Sequence, residues 1–344
     1  MNSGVIHRFA ASALAMAGMT FGSVCAPAQA EDFYKGKQIS FFIGYNPGGT
    51  YDIYSRLAAA HLPRFIPGQP AIVPKNMPGV GSLKAASYLY SQAPRDGTAI
   101  GMVSQVLALE QVLKNPIVQY DAAKFGWIGR LTSVVEVTIA WHTAPVKTVQ
   151  DAMRMELLIG GTSAGATSDA MPELMNRFAG TKFKIVLGYQ GTTGAMLAME
   201  RGEVQGAHAA AENLIIGKPD WLRDKLINVL VQYSEERHAA FPDAPAMVEL
   251  GKTEEDKRIL AVFGSAAEIG RSIMTPPEVP AERLAIMRKA FDAMTQDQSF
   301  RDEMAKRKME FAPMSGQEIE RRIKATLDLP VALAEKARLA RKEE

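Results

Sequence analysis

The sequence is nearly without cysteine: Cys25 is the single thiol among 344 residues. One thiol excludes an internal disulfide framework and a cysteine-based zinc cluster. Neither an H-E-x-x-H motif nor a close pair of histidines occurs, and no G-x-G-x-x-G fingerprint follows a predicted strand. We therefore expect no metal site and no cofactor.

An excess of charge of either sign is also missing. Lys plus Arg number 39 and Asp plus Glu number 37, which gives a net charge of +2. This balance argues against a nucleic-acid partner or an anionic membrane surface. Hydrophobic residues make up 47% of the chain and charged residues 22%, as in a globular protein with a real core. At about 150 residues per domain, the length suggests two domains.

The first thirty residues have the layout of a secretory signal peptide. Arg8 is followed by an apolar stretch over 9–24, and Ala28-Gln29-Ala30 supplies an A-x-A cleavage signal. The apolar stretch is shorter than the roughly 20 residues that a spanning helix needs, which disfavours an uncleaved anchor. A lipoprotein signal at Cys25 is disfavoured because Val24 is bulky. We expect cleavage after Ala30 and an exported, soluble protein.

Strand-like and helix-like segments alternate along most of the remaining chain, which predicts an α/β fold with parallel-rich sheets flanked by helices. Strands are predicted over 39–43, 71–73, 99–103, 134–140, 157–159, 185–187 and 227–231. Helices are predicted after each of the first six strands, including one over 167–178. The last 65 residues are predicted to be mainly helical, with one helix beginning at Pro280 and another capped by Ser315 and Glu318.

Four predicted strand-to-helix loops consist of small and polar residues and contain no basic side chain. Glycine lets a backbone approach a ligand, and a helix N-terminus attracts anions through its free N–H groups. Facing pairs of such loops could hold the two ends of a small carboxylate, although glycine-rich turns are common in α/β folds. The loops are 46–50, 76–82, 160–165 and 189–194.

One loop also contains a motif typical of serine hydrolases. Gly161-Thr162-Ser163-Ala164-Gly165 matches the G-x-S-x-G nucleophile elbow, and Asp220 or Asp224 followed by His238 would complete a triad. No H-G-G-G oxyanion loop accompanies it, so hydrolysis is kept as an alternative. Gly251-Lys252-Thr253 is not the end of a P-loop, because position 246 is Ala.

The ordered set of loop motifs resembles the tripartite tricarboxylate transporter substrate-binding proteins, the Bug or TctC-like family. The resemblance spans nearly the whole chain after the signal. Its motifs are Phe33-Tyr34-Lys35-Gly36-Lys37, Gly44 to Asp52, Asn76 to Ser82, Ala93 to Thr98, Gly188 to Gly191, Gly202-Glu203-Val204 and Pro276 to Arg283.

The resemblance implies a two-lobed periplasmic binding protein of type II with a hinge between its lobes. Residues 31–131 plus 262–344 would form lobe 1, and 132–261 would form lobe 2. The implied protein is a monomer, not an enzyme. It closes over a small di-, tri- or aromatic carboxylate and delivers it to the integral membrane subunits of a tripartite transporter. A periplasmic sensor for a two-component kinase would use the same cleft and remains an alternative.

Family motifs also imply which residues face the ligand. From lobe 1 they are Pro47, Gly48, Gly49, Thr50 and Asp52, supported by Asn76, Gly79, Gly81, Ser82, Ser104 and Gln105. From lobe 2 they are Thr162, Ser163, Gly165, Tyr189, Gln190 and Gly191. The chain departs from the family pattern at Thr50, where a third glycine is common, and at Gln205, where Asp is common. Both departures bear on which carboxylate is bound.

Overall fold

The structure is a computed structural model that describes residue 1, residues 33–162 and residues 166–342. The predicted cleavage site after Ala30 and the predicted ligand residues Ser163 and Gly165 lie outside the described residues. Among the described residues, no helix is both long and apolar enough to cross a membrane.

Within the described residues, two sheets lie at the centre of the fold. The first has the strand order β11-β4-β10-β3-β1-β2, and the second has the order β7-β6-β8-β5-β9. The first sheet contains β1 (Gln38–Ile43), β2 (Ala71–Asn76), β3 (Ala99–Met102), β4 (Gly126–Arg130), β10 (Ser272–Thr275) and β11 (Met314–Ser315). The second contains β5 (Glu136–Trp141), β6 (Leu157–Gly160), β7 (Phe183–Val186), β8 (Gly206–Ala210) and β9 (Ile227–Tyr233).

Each sheet is mixed, which modifies the expectation of parallel-rich sheets. Strand β1 pairs in parallel with β2 and β3, and β6 pairs in parallel with β7 and β8. Strand β10 runs antiparallel to β3 and β4, and β5 runs antiparallel to β8 and β9. Only the parallel part of each sheet is built from the strand–helix–strand crossovers that the alternation predicted. The chain returns from the second sheet to the first at β10, which is antiparallel to both of its neighbours.

Helices cover both faces of each sheet. They are α1 (Thr50–His61), α2 (Leu83–Ser91), α3 (Leu107–Val112), α4 (Val149–Ala152), α5 (Thr167–Phe178), α6 (Gly191–Glu200), α7 (Ala211–Ile215), α8 (Pro219–Arg223), α9 (Glu254–Gly264), α10 (Ala281–Gln296), α11 (Gln298–Lys306), α12 (Gly316–Leu327) and α13 (Val331–Lys342). As predicted, α10 follows Pro280, and the Ser315 side chain caps α12 by accepting the Glu318 N–H at 3.3 Å.

Four apolar clusters hold the helices to the sheets. On the first sheet, Phe41 packs with α1, α10 and α11, whereas Phe42 points to the opposite face and packs with α2 and α12. This alternation along one strand is the period of two that places successive side chains on opposite faces. On the second sheet, Ile159 packs with α5 and α9, and Ile139 packs with α6, α7 and α8.

The chain passes between the sheets through two paired segments. Leu131 N donates to Arg271 O at 3.0 Å, Arg271 N donates to Thr132 O at 2.9 Å, and Val134 N donates to Ala267 O at 2.9 Å. The last helix, α13, packs on the cluster of the second sheet through Ala337, although the predicted division assigns residues 262–344 to lobe 1.

Candidate functional site

Two of the four predicted loops, 46–50 and 76–82, meet the predicted supporting residues Ser104 and Gln105 at one edge of the first sheet. Strands β1, β2 and β3 are parallel neighbours, so their carboxyl ends lie together, and the loops that begin after Ile43, Asn76 and Met102 lie side by side. In open α/β sheets, ligands bind at this edge.

Asp52 and Asn76 stabilise the first of these loops. The Asp52 carboxylate accepts the Gly48 N–H at 2.9 Å, Arg56 Nε–H at 2.9 Å and Asn76 Nδ2–H at 2.8 Å. Asn76 Nδ2 also donates to Tyr45 O at 2.9 Å, and Asn76 Oδ1 accepts from Arg56 Nη2 at 2.8 Å. Burial alone would raise the Asp52 pKa, but the hydrogen bonds from Arg56, Gly48 and Asn76 hold it below its usual value. Both side chains therefore fix the loop backbone.

The second loop approaches the first through a tight turn. Val80 and Ser82 have positive φ values of 48° and 79°, and Gly81 lies between them at 58°. Ser82 Oγ accepts the Ser104 N–H at 3.1 Å, which joins this loop to the segment after β3. A Cβ atom at Gly44 would lie 1.8 Å from Ser82 Oγ, so the close approach requires glycine at Gly44.

The second sheet joins its two predicted ligand loops in a similar way. Gly188 N donates to Thr162 O at 3.1 Å, and Tyr189 N donates to Gly161 O at 3.2 Å. Thr162 N donates to Ser168 Oγ at 3.0 Å, which connects the loop to the first turn of α5. The loops that follow the parallel strands β6 and β7 thus form one unit.

The helices that follow the four loops begin without a side-chain cap. The N-cap residues of α1, α2, α5 and α6 are Gly49, Ser82, Ala166 and Gln190, and none makes a capping hydrogen bond. Elsewhere, Thr148, Thr253, Asp297 and Ser315 accept N–H groups as caps, whereas α3, α7, α8 and α10 also begin without a side-chain cap. An uncapped first turn can leave donors that an anion accepts from, at the positive end of the helix dipole. At α2, however, the N–H groups of Leu83 and Lys84 already donate to Val80 O and Gly79 O.

A group of aromatic rings lies between the two sheets. Tyr45 stacks on Tyr51 with ring centroids 4.3 Å apart, and the Tyr51 hydroxyl donates to Gln105 Oε1. Burial raises the pKa of Tyr45 to about 12 and that of Tyr51 well above its usual value, and Glu136 on the second sheet adds to both shifts. Both phenols stay protonated at neutral pH and act as neutral hydrogen-bonding groups.

Arg271 connects the two sheets at this place. Its Nη2 donates to Thr50 Oγ1 at 2.8 Å and to Glu212 Oε1 at 2.9 Å. The Arg271 and Glu212 side chains are both 0% exposed. The guanidinium carbon lies 4.4 Å from the centre of the Tyr51 ring and 4.9 Å from that of Tyr54. Burial alone would lower the Arg271 pKa, but Glu212 and the two tyrosines raise it above its usual value, so the guanidinium stays charged.

The two departures from the family pattern have different surroundings. Thr50 contacts Arg271, so its hydroxyl lies where the two sheets meet. Gln205 Oε1 accepts the Leu158 N–H at 3.1 Å, and this places the amide against the second sheet, at the start of β8. The predicted ligand loops lie at the opposite end of the parallel strands. Thr50 therefore lies at the junction of the two sheets, whereas Gln205 lies away from the predicted ligand loops.

Sequence reasoning missed Arg271 and Glu212 as site residues. An arginine between Ile269 and Ile273 was the available signal, since a charged residue buried among apolar neighbours requires a partner. His238, the histidine of the hydrolase alternative, has both ring nitrogens engaged. Its Nε2 lies 2.9 Å from Glu310 Oε1, and its Nδ1 accepts the Ala240 N–H at 3.1 Å. Among the residues described, no group of three His, Cys, Asp or Glu side chains could hold a metal ion.

Comparison with known proteins gives a consistent result. The family model described as the tripartite tricarboxylate transporter family receptor matches residues 55–339. The UPF0065 protein in the gbd 5' region of Cupriavidus necator is 26% identical over 346 residues, covering 97% of this chain and 98% of the relative.

Solved structures share the fold. Rpa4515 of Rhodopseudomonas palustris, solved with adipate, has a TM-score of 0.66 at 20% identity and covers 88% of this chain and 97% of its own. MatC of the same organism, solved with bound malate, has a TM-score of 0.60 at 19% identity and covers 85% of this chain and 98% of its own.

Proposed function

The chain belongs to the tripartite tricarboxylate transporter receptor family, whose members are periplasmic solute-binding proteins, and from this premise we propose that it captures a small carboxylate by cleft closure. The loops on the first sheet line one side of the cleft, and the loops on the second sheet line the other. The liganded form delivers the carboxylate to the integral membrane subunits of a tripartite transporter.

The observation that supports this proposal most strongly is the set of four uncapped helix starts after the predicted loops. A carboxylate held by their N–H groups needs no excess of basic residues, in agreement with a net charge of +2 over the whole chain. The fold relatives solved with adipate and malate hold small dicarboxylates. The ligand-facing groups would be the backbone N–H of Gly49 and the hydroxyl of Thr162, since the N–H groups of Gly48 and Gly191 already donate to Asp52 Oδ2 and Tyr189 O.

We further propose the predicted lobes with one change. Residues 31–131 and 262 to about 330 form lobe 1, and 132–261 form lobe 2, to which α13 is added because it packs there. The paired segments around Leu131 and Arg271 would be the hinge. Hinge closure around a ligand places both lobes in contact with it, and these contacts stabilise the closed state.

Thermal unfolding with a panel of di-, tri- and aromatic carboxylates tests the function. A ligand at 100 times its Kd stabilises the folded protein by roughly 2.7 kcal/mol, which shifts the melting temperature by about 5–10 °C for a protein with lobes of this size. Amides isosteric with the carboxylates are the matched control and should give no shift. If no carboxylate shifts the melting temperature, the proposal is wrong.

A further inference from the structure

Arg271 and Glu212 are buried with polar atoms that the protein does not satisfy. Within the described part of the chain, Arg271 Nε and Nη1 and Glu212 Oε2 have no hydrogen-bond partner. A buried group without a partner costs about 1–3 kcal/mol, and more when it is charged. Such a cost at a functional site is offset when a ligand or a bound water supplies the missing partner.

The position of the pair points to the ligand. Glu212 lies in α7, on the second sheet's side of the cleft, and Arg271 lies in the segment that pairs with Thr132 between the sheets. Arg271 contacts Thr50, the first residue of the uncapped helix α1. The Arg271 guanidinium therefore lies at the start of α1, beside one of the predicted ligand loops.

We infer that Arg271 and Glu212 are specificity-determining ligand contacts: the free N–H groups of Arg271 donate to a ligand carboxylate, and Glu212 Oε2 accepts from a hydroxyl or ammonium group of the same ligand. The inference rests on the proposed function and names its ligand class, a small carboxylic acid that carries a hydrogen-bond donor beside the carboxylate. An acid without such a donor would leave Glu212 Oε2 unpaired and would bind more weakly.

The chemistry of the pair explains why both charges are present. An arginine alone would add a full positive charge to a neutral cleft and would favour any anion. Glu212 at 2.9 Å compensates that charge; burial raises the pKa of its carboxyl, and the Arg271 guanidinium opposes this rise. In its ionised form, Glu212 rejects a second carboxylate at its free oxygen through like-charge repulsion. The pair thus selects by the arrangement of donors and acceptors, since a buried polar group that stays unpaired discriminates strongly between related ligands.

Calorimetric titration with succinate, malate and aspartate tests the inference, because the three acids differ only in a hydrogen, a hydroxyl or an ammonium group at one carbon. The intact protein should bind malate or aspartate at least tenfold more tightly than succinate. Glu212→Gln should reduce this ratio about tenfold, because its amide N–H₂ faces the ligand donor. Arg271→Lys should weaken the binding of the preferred acid about tenfold or more.

Arg130→Lys is the matched control, since Arg130 is a buried arginine whose groups pair with Glu268 and with Ala312 O. It should leave the affinities and their ratio unchanged. Circular dichroism and the melting temperature of the ligand-free variants show whether a loss of affinity comes from a lost ligand contact or from a damaged fold. If Glu212→Gln and Arg271→Lys fold but keep the affinities and the malate-to-succinate ratio of the intact protein, the inference is overturned.

A third result separates the inference from the function on which it rests. If other carboxylates of the thermal panel bind while malate and aspartate bind no better than succinate, the inference is overturned and the proposed function stands. If no carboxylate binds at all, both are overturned. Should Arg271→Lys fail to fold, the change in ratio caused by Glu212→Gln decides the matter.

Discussion

Replacing Asp52 tests whether the first ligand loop is held by the hydrogen bonds seen in the structure. The Asp52 side chain is 5% exposed and accepts three hydrogen bonds, from Gly48, Arg56 and Asn76. Asp52→Ala removes the acceptor and leaves the Gly48 N–H and the Asn76 amide without it. The loop from Asn46 to Thr50 would then lose its fixed backbone.

The expected cost follows from these contacts. A hydrogen bond to a charged group contributes about 1.5–3 kcal/mol, but the Arg56 side chain is 47% exposed and its ion pair is screened by solvent. We therefore expect Asp52→Ala to lower the free energy of unfolding by about 3 kcal/mol, which lowers the melting temperature by about 6–12 °C. Asp52→Asn keeps the shape and should cost about half as much.

Urea unfolding at several pH values measures the effect. Because the folded-state pKa of Asp52 is lowered, its stabilisation is present above the unfolded pKa of about 3.9 and is lost as the pH falls through the folded pKa. The difference between the original protein and Asp52→Asn should therefore shrink below about pH 4. Asp224→Asn, an exposed partner of Arg223, is the control and should change stability by less than about 0.5 kcal/mol. An Asp52→Ala protein as stable as the original would refute the reasoning.

Two further predictions concern the junction between the sheets. The hydrogen bond to Glu310 raises the His238 pKa. The pair therefore stabilises the fold fully below the unfolded pKa of about 6.5, and this stabilisation is lost as the pH rises through the folded pKa. In urea unfolding, His238→Gln should lower the free energy of unfolding by up to about 1.5 kcal/mol at pH 6 and by almost nothing at pH 9. Gly270 has a φ of +52°, and a Cβ there would lie 2.1 Å from Thr132 O, so Gly270→Ala should destabilise the fold by more than about 2 kcal/mol. Gly36 has a φ of +70°, but a Cβ there would meet nothing within 4 Å, so Gly36→Ala should cost only about 1 kcal/mol. Equal melting temperatures for the two glycine variants would contradict the second prediction.

Periodicity predicted the long amphipathic elements well. The helix predicted over 167–178 has the same bounds in the structure, because its apolar stripe and its flanking loops agree. The strand predicted over 185–187 lies at Phe183–Val186 instead, since Leu187 and Gly188 belong to the loop.

The strands that no pattern indicated are short or rich in small residues. Strand β8 has the sequence Gly-Ala-His-Ala-Ala, and β11 has only two residues. Glycine and alanine are weak strand formers, so tertiary pairing decides their conformation. The antiparallel direction of β10 depends on where the chain returns from the second sheet, which local sequence does not encode.

The same limit applies to the site. Its loops were predictable because glycine, asparagine and serine act locally on the backbone. The Arg271–Glu212 pair joins residues that are 59 positions apart, and neither residue has a local pattern that names the other. Tertiary contact alone brings these two charges together.

The neutral composition of the chain and the buried arginine are compatible. Arg271 donates to Glu212 and lies against the rings of Tyr51 and Tyr54, so its charge is balanced inside the cleft and adds nothing to long-range attraction. An anion would instead be attracted at short range by the partial charges at the uncapped helix starts. Because the full charges of Arg271 and Glu212 balance each other, the affinity for a ligand depends on how well its oxygens match the fixed hydrogen-bond donors. Selectivity between small acids of equal charge then depends on a single unpaired oxygen, Glu212 Oε2.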